Sequence, residues 1–283
     1  MEIYTVADKN FWRTALNWSA HLNRLKIENY MIGCLDEESV DELDKRGARA
    51  ELLPLSAQDL QCIEESTKKN DRSYKKPSVA KAVILSGLLK RKTDFIFSDS
   101  DAVWLKDPLP QVQAYWREGY DILFSINPNE GAYPIQSSKL WGFSLSGGWF
   151  AVQYDAKTDE FFSRLLEKWY NQPPYNPKAH GKYPDLQAIM NEEVRDLGVR
   201  LPESLVSQFQ YRRPVDGKRN QDLSFQWDMG KAGLKLKFLK ENFVARGGYS
   251  KGKTVYHGLA IGSDGEKQRI LGGGHNNLWI IEE

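Results

Sequence analysis

Apolar residues fall into two alternating spacings along the first half of the chain. Ile3 to Val6 forms a short apolar run. Phe11 to Leu25 follows with Phe11, Trp12, Ala15, Leu16, Leu22 and Leu25 on a helical repeat. Tyr30 to Leu35 reads as a second strand, Glu37 to Lys45 as a helix and Ala48 to Leu53 as a third strand. Ser78 is the expected N-cap of a helix reaching about Lys90, with Val79, Ala82, Val83 and Leu89 on its apolar face. Asp94 to Ser98 and Asp121 to Ser125 read as buried strands. In the second half, Gly148 to Val152 and Thr254 to His257 are strand-like, while Thr158 to Tyr170 and Asp185 to Leu197 are helical. Asn171 to Tyr183 and Arg212 to Gln221 carry the Pro, Gly, Asn and charge of loops, and Gly258 to Gly274 is glycine-rich. Strand–helix alternation predicts an α/β fold with a mostly parallel sheet covered on both faces, and ligands bind such sheets at the carboxyl ends of strands. No repeat, linker or low-complexity tail interrupts the pattern, so a single domain with a loop-rich carboxy-terminal half is expected.

Composition narrows the functions open to this fold. The chain has 283 residues, enough for a full core. Its 39 Lys+Arg against 38 Asp+Glu give a net charge of +1, too balanced for general nucleic-acid binding. No run approaches the ~20 apolar residues of a membrane span. Met1 leads directly into a strand, without the pattern of a signal peptide. Cys34 and Cys62 form neither a metal-type spacing nor a disulfide framework, so a cytoplasmic setting is expected. Aromatic residues are plentiful, which serves cores first and sugar stacking second.

The most informative segment is Phe95-Ile96-Phe97-Ser98-Asp99-Ser100-Asp101, an apolar strand ending in two carboxylates one residue apart. Oxygen ligands on such a turn suit Mn²⁺ or Mg²⁺, hard cations that bridge carboxylates and substrate phosphates. A nucleotide sugar departs as a diphosphate, and a metal neutralises the charge that develops. An Asp-x-Asp after a strand also fits a magnesium-dependent phosphatase of the haloacid dehalogenase type. That class places the motif near the start of the chain and needs a later acidic pair, and neither holds here. A third reading is a non-catalytic nucleotide-sugar-binding protein, which has no need to keep a full set of metal ligands.

The run Phe95 to Pro108 resembles the signature of the nucleotide-diphospho-sugar transferase family, retaining GT-A glycosyltransferases related to plant cell-wall arabinosyl- and xylosyltransferases. Thr5 to Phe11 resembles the first-strand loop that holds the nucleoside in that group, Ser144 to Val152 the segment bordering donor sugar and acceptor, and Thr254 to Lys267 the closing His-Gly-Lys segment. The resemblance implies a Rossmann-like mixed sheet, with residues 1–125 binding the nucleotide and 126–283 the acceptor. It implies a UDP-sugar donor, a glycan or other hydroxyl acceptor, and retention. Val6, Ala7, Asp8 and Asn10 would then line the nucleoside. Lys81, Asp99, Ser100, Gly258 and Lys267 would face the donor's diphosphate and sugar. Asp99, Asp101 and His257 would hold Mn²⁺ or Mg²⁺, His257 through a neutral imidazole nitrogen. Gly147, Gly148, Trp141 and Trp149 would border the acceptor, with Phe143, Tyr175, Tyr183 and Trp227 as further stacking residues. Two departures from the family pattern stand out. Gln187 and Asn191 keep the spacing of a family helix, but Leu186 occupies the acidic position before Gln187. Asp185 or Gln187 is therefore the residue expected near the reacting carbon. The spacing from His257 to Lys267 is also longer than in tighter versions of the closing motif.

Overall fold

The apolar runs of the amino-terminal half lie side by side as parallel strands. A computed structural model describes residues 1–68, 75–127, 144–171, 186–196, 223–224, 233–239, 243–246, 252–258, 267–268, 271–272 and 277–281. Along them run β1 (Glu2–Ala7), α1 (Trp12–Arg24), β2 (Tyr30–Cys34), α2 (Glu37–Asp44), β3 (Ala50–Leu52), α3 (Ala57–Lys68), α4 (Lys75–Arg91), β4 (Phe95–Ser98), β5 (Ala102–Trp104), α5 (Leu109–Arg117), β6 (Ile122–Asn127), β7 (Ser144–Val152), α6 (Ala156–Tyr170), α7 (Leu186–Asp196), β8 (Leu223–Ser224), β9 (Leu236–Leu239), β10 (Val244–Arg246) and β11 (Val255–His257).

An eight-stranded sheet has the order β3-β2-β1-β4-β7-β6-β9-β8. The first four strands are mutually parallel, but β7 runs antiparallel between β4 and β6, and β8 antiparallel to β9. With β9 parallel to β6, the sheet is mixed but keeps six of its eight strands in one direction, as the strand–helix alternation predicts. A second sheet, β10-β11-β5, packs over one face, with β11 antiparallel to β5. Alternation along β4 divides the core: Phe95 and Phe97 join α4, α6 and α7 on one face, while Ile96 joins α1, α2 and α5 on the other. Both faces of the central strands are buried, so these strands read as continuous apolar runs.

Several local features differ from the sequence reading. The helix expected from Ser78 begins earlier, at Lys75, because Pro77 is tolerated in a first turn, where its missing N–H is not needed. Ser78 instead accepts a hydrogen bond from the Leu186 N–H (3.2 Å), which ties the start of α7 to α4. Helix α3 went unread, although Ser56 and Asp59 form a reciprocal cap at its start: Asp59 Oδ2 accepts the Ser56 N–H (2.9 Å) and Ser56 Oγ accepts the Asp59 N–H (3.2 Å). Helix α5 also went unread; Pro108 and Pro110 sit at its amino-terminal end, where proline is tolerated. Strands β5, β9 and β10 are too short for a period to show.

Helix α7 is held to α6 by a buried charge. Glu193 is fully buried, with Arg164 Nε at 2.8 Å and Lys168 Nζ at 2.5 Å. Both cations reach solvent while the carboxylate does not, which makes the trio asymmetric. Replacing both, as Arg164→Met with Lys168→Met, strands the carboxylate and is expected to cost about 3 kcal/mol in urea denaturation. Glu193→Leu is expected to cost far less, since the released cations hydrate.

Candidate active and metal-binding site

The acidic triplet forms the turn between β4 and β5. The Ala102 N–H donates to the Asp99 carbonyl (2.8 Å), closing the turn, and the Asp99 N–H donates to the Gly148 carbonyl (2.7 Å), anchoring it to β7. Strand β11 pairs with β5 so that His257 lies opposite Ala102. The Gly258 N–H continues that ladder to the Asp101 carbonyl (2.8 Å). A residue more than 150 positions from the triplet is thereby delivered to it by strand pairing. Asp99, Asp101 and His257 each offer one ligand atom, all within 4.8 Å of one another. His257 Nε2 lies 3.1 Å from Asp101 Oδ1 and 3.6 Å from Asp99 Oδ2.

The second oxygen of each carboxylate is held by a lysine. Lys81, on α4, places Nζ 2.7 Å from Asp99 Oδ1. Lys267 Nζ contacts Asp101 Oδ2 and donates to the Gly258 carbonyl (3.3 Å). Both aspartates therefore turn one oxygen toward His257 and keep the other in a charge-assisted bond. Burial alone would raise the Asp101 carboxyl, but Lys267 and His257 beside it hold it well below the usual carboxylate range. Two ammoniums against two carboxylates leave the cluster neutral when His257 is neutral.

Gly147 and Gly148 form one wall. Phe124 pairs with Phe150 and the next residue, Ser125, with Ser146, so residues 147–149 bulge out of the β6 ladder. Ser125 Oγ spans the bulge, 2.9 Å from the Trp149 carbonyl and 3.3 Å from that of Ser146. The Gly147 peptide is gripped from both sides, its carbonyl accepting from Lys81 Nζ (3.1 Å) and its N–H donating to Gln187 Oε1 (2.9 Å). Asn191, one turn along α7, bonds the Gln187 carbonyl (2.8 Å) and accepts the Leu145 N–H (2.9 Å). A Cβ on Gly148 would lie 2.2 Å from His257 Cε1 and 2.7 Å from Asp99 Oδ2. Glycine is needed at this position for space, and the space lies beside the converging ligand atoms. Two carboxylate oxygens and one imidazole nitrogen, with that room preserved, fit a hard divalent cation.

The other predicted residues divide into three groups. Val6, Ala7 and Asp8 lie at the carboxyl end of β1, next to β4. Asp8 is buried and accepts the Asn10 N–H (2.9 Å), while Asn10 itself is exposed. Burial raises the Asp8 carboxyl, against the Asn10 N–H and the charge of Lys76, both of which lower it. Ser100 is half-buried at the tip of the turn. Trp149 is a correction: it is fully buried, packed on Trp104 (centroids 6.4 Å) and Phe243 (5.5 Å), and offers no surface to an acceptor. Trp141, Phe143, Tyr175, Tyr183, Asp185 and Trp227 lie outside the described residues. Sequence reasoning missed the lysine–carboxylate pairing and the roles of Ser125 and Asn191, all of which depend on contacts between distant elements.

The model of the family described as nucleotide-diphospho-sugar transferase matches residues 25–258. The chain belongs to this family. It is therefore a glycosyltransferase, and the phosphatase and non-catalytic readings fall away. Membership in the transferase family implies a nucleotide-sugar donor and a sugar acceptor. Among solved structures, the WbbM bifunctional glycosyltransferase in its apo form is similar at 11% identity and a TM-score of 0.50, over 92% of this chain and 46% of that one. At this identity the likeness is one of fold, and the transferase has the GT-A architecture. Mouse xyloside xylosyltransferase 1, apo form, matches at 11% identity and a TM-score of 0.49 over 92% of this chain and 97% of that one. The galactosyltransferase LgtC, in complex with donor and acceptor sugar analogs, matches at 11% identity and a TM-score of 0.43, over 92% and 87% of the two chains. No curated protein sequence matches. Among the described residues of the transferase, no helix is long and apolar enough to cross a membrane.

Proposed function

We propose that this transferase moves a sugar from a UDP-sugar to a hydroxyl of a glycan acceptor, with retention, using Mn²⁺ or Mg²⁺ held by Asp99, Asp101 and His257. The observation that carries the reading is the convergence of those three side chains within 4.8 Å, each carboxylate keeping one oxygen free because a lysine holds the other. A bound divalent cation would act as a Lewis acid toward the diphosphate leaving group. With two lysines already balancing two aspartates, the loaded site carries about two positive charges, a match for the two ionised phosphates of a nucleotide sugar.

The chain's own residues do the remaining work. Val6, Ala7, Asp8 and Asn10 line the nucleoside, with Asp8 as acceptor toward the base or ribose. Lys81, Lys267, Ser100 and Gly258 border the diphosphate and sugar. Gly147, Gly148 and Trp141 border the acceptor. Gln187 has its Oε1 engaged by the Gly147 N–H, and an amide is no nucleophile. In its hands retention means attack on the face the diphosphate leaves, with Gln187 holding the sugar and Asp185 the alternative group beside the anomeric carbon. Residues 1–125 serve the nucleotide and 126–283 the acceptor, with His257 and Lys267 returning from the second part to close the donor site.

A thermal-shift screen of nucleotide sugars tests this reading. One UDP-sugar with Mn²⁺ is expected to stabilise the protein by about 2.7 kcal/mol at a hundredfold excess over Kd. The same donor without metal, or sugars on other nucleotides, should give much smaller shifts. Equal shifts with and without Mn²⁺ overturn the metal assignment, and a larger shift from another nucleotide overturns UDP.

A further inference from the structure

The residue before the acidic triplet sits at the junction of three elements. Ser98, the last residue of β4, is fully buried, as are Trp18 of α1 and Trp104 of β5. Trp18 Nε1 donates to Ser98 Oγ at 3.2 Å, and Trp104 Nε1 donates to the same oxygen at 3.1 Å. A hydroxyl has two acceptor lone pairs and one proton, and an indole nitrogen is a donor only. Both lone pairs of Ser98 are therefore taken. Its proton can go only to an acceptor, and among the described residues the two within reach are the Ala102 carbonyl at 3.3 Å and the Asp99 carbonyl at 3.4 Å. Those carbonyls belong to the turn that carries Asp99 and Asp101. In most buried serines the hydroxyl rotor is free to choose among partners. Here the two indoles leave it one direction.

We infer that Ser98 is a positioning residue for the metal site: Trp18 and Trp104 force its proton onto the Asp99–Ala102 turn and thereby fix the two carboxylates. The inference rests on the divalent-cation reading above but concerns residues that touch neither the cation nor the substrate. The surrounding geometry agrees with it. The turn is tied on its outer side by the Asp99 N–H to Gly148 and by the Gly258 N–H to the Asp101 carbonyl. Ser98 supplies the hold from the core side. Residues that orient metal ligands change affinity by about 10- to 100-fold when replaced.

The probe is Mn²⁺ alone, titrated into the full chain by calorimetry and by the EPR signal of the free ion, well below each variant's Tm. Ser98→Ala is expected to weaken Mn²⁺ binding about tenfold, and Ser98→Thr, which keeps the hydroxyl, to stay within about twofold of wild type. Leu43→Ala, a fully buried core change in α2, is the stability control. It should lower Tm and leave Mn²⁺ affinity unchanged. Wild-type affinity in Ser98→Ala, or an equal loss in Leu43→Ala, overturns the positioning role and leaves the metal site standing. A wild-type chain that binds no Mn²⁺ overturns both. Should Ser98→Ala not fold, Ser98→Cys carries the test: a thiol is a weak donor, so affinity should fall in the same direction, and unchanged affinity overturns the inference.

Discussion

Asp101→Asn is expected to lower kcat/KM for sugar transfer by at least about a thousandfold, the upper range for removing a group that stabilises developing charge. Three losses coincide at one atom pair. Oδ1 faces His257 Nε2 at 3.1 Å and is the free oxygen proposed as a cation ligand. Oδ2 is the anchor of Lys267, a buried lysine. The residue also stays ionised throughout the neutral range, because Lys267 and His257 outweigh the burial that would raise it. Asparagine keeps the shape and removes the charge, so the Lys267 ammonium is left buried beside an amide. That is expected to destabilise the fold by about 3 kcal/mol, the cost of breaking a buried ion pair from one side. Asp99→Asn makes the useful comparison. Its side chain is 24% exposed and its partner Lys81 also has the Gly147 carbonyl, so activity should fall as far while stability falls much less. Steady-state kinetics across a Mn²⁺ series, with urea denaturation on the same samples, reads both quantities. Asp101→Asn with near-normal turnover at any Mn²⁺ concentration would remove this carboxylate from the chemistry.

The parts of this site that were legible beforehand are those carried by local pattern. The strand Phe95 to Ser98 is a four-residue buried run, and a run of that kind ending in Asp-x-Asp marks a strand tip without reference to the rest of the chain. The β1–α1–β2–α2 order was legible for the same reason, each element having its own period. What local pattern does not carry is set by pairing at long range, and only the family resemblance grouped His257 with Asp99 and Asp101 beforehand. His257 is adjacent to the triplet only because β11 pairs with β5, and the three-residue length of β5 left no period to detect. The family resemblance implied that Trp149, beside two glycines, borders the acceptor. The antiparallel insertion of β7 between β4 and β6 buries both of its faces, a fact about sheet order that the segment alone does not contain. The Gly-Gly pair itself does signal a bulge in a strand, yet which of the two glycines is required depends on a histidine more than a hundred residues away.

That requirement yields the second large effect. Gly148→Ala is expected to reduce activity by about a hundredfold or more, the scale of a misplacement near 1 Å at a reacting centre. The backbone does not demand glycine here, since Gly148 is absent from the residues with positive φ; the demand is for volume. An added Cβ would sit 2.2 Å from His257 Cε1, 2.9 Å from His257 Nδ1 and 2.7 Å from Asp99 Oδ2. Those neighbours are poorly able to yield. The imidazole is buried on a strand paired on both sides, and the Asp99 backbone is bonded to Gly148 itself. Either the ring swings away from the carboxylates or the bulge shifts, and each separates the three ligand atoms. Gly147→Ala, one residue earlier, is the internal control. Its Cβ would meet Gln187 Cβ at 3.3 Å, a contact relieved by a few tenths of an ångström, so activity should fall no more than about tenfold. Mn²⁺ titration separates the two effects, with binding lost in Gly148→Ala and retained in Gly147→Ala. If Gly148→Ala binds Mn²⁺ as wild type does, the space beside His257 is not what holds the ligand set together, and the role of this glycine lies in the acceptor wall instead.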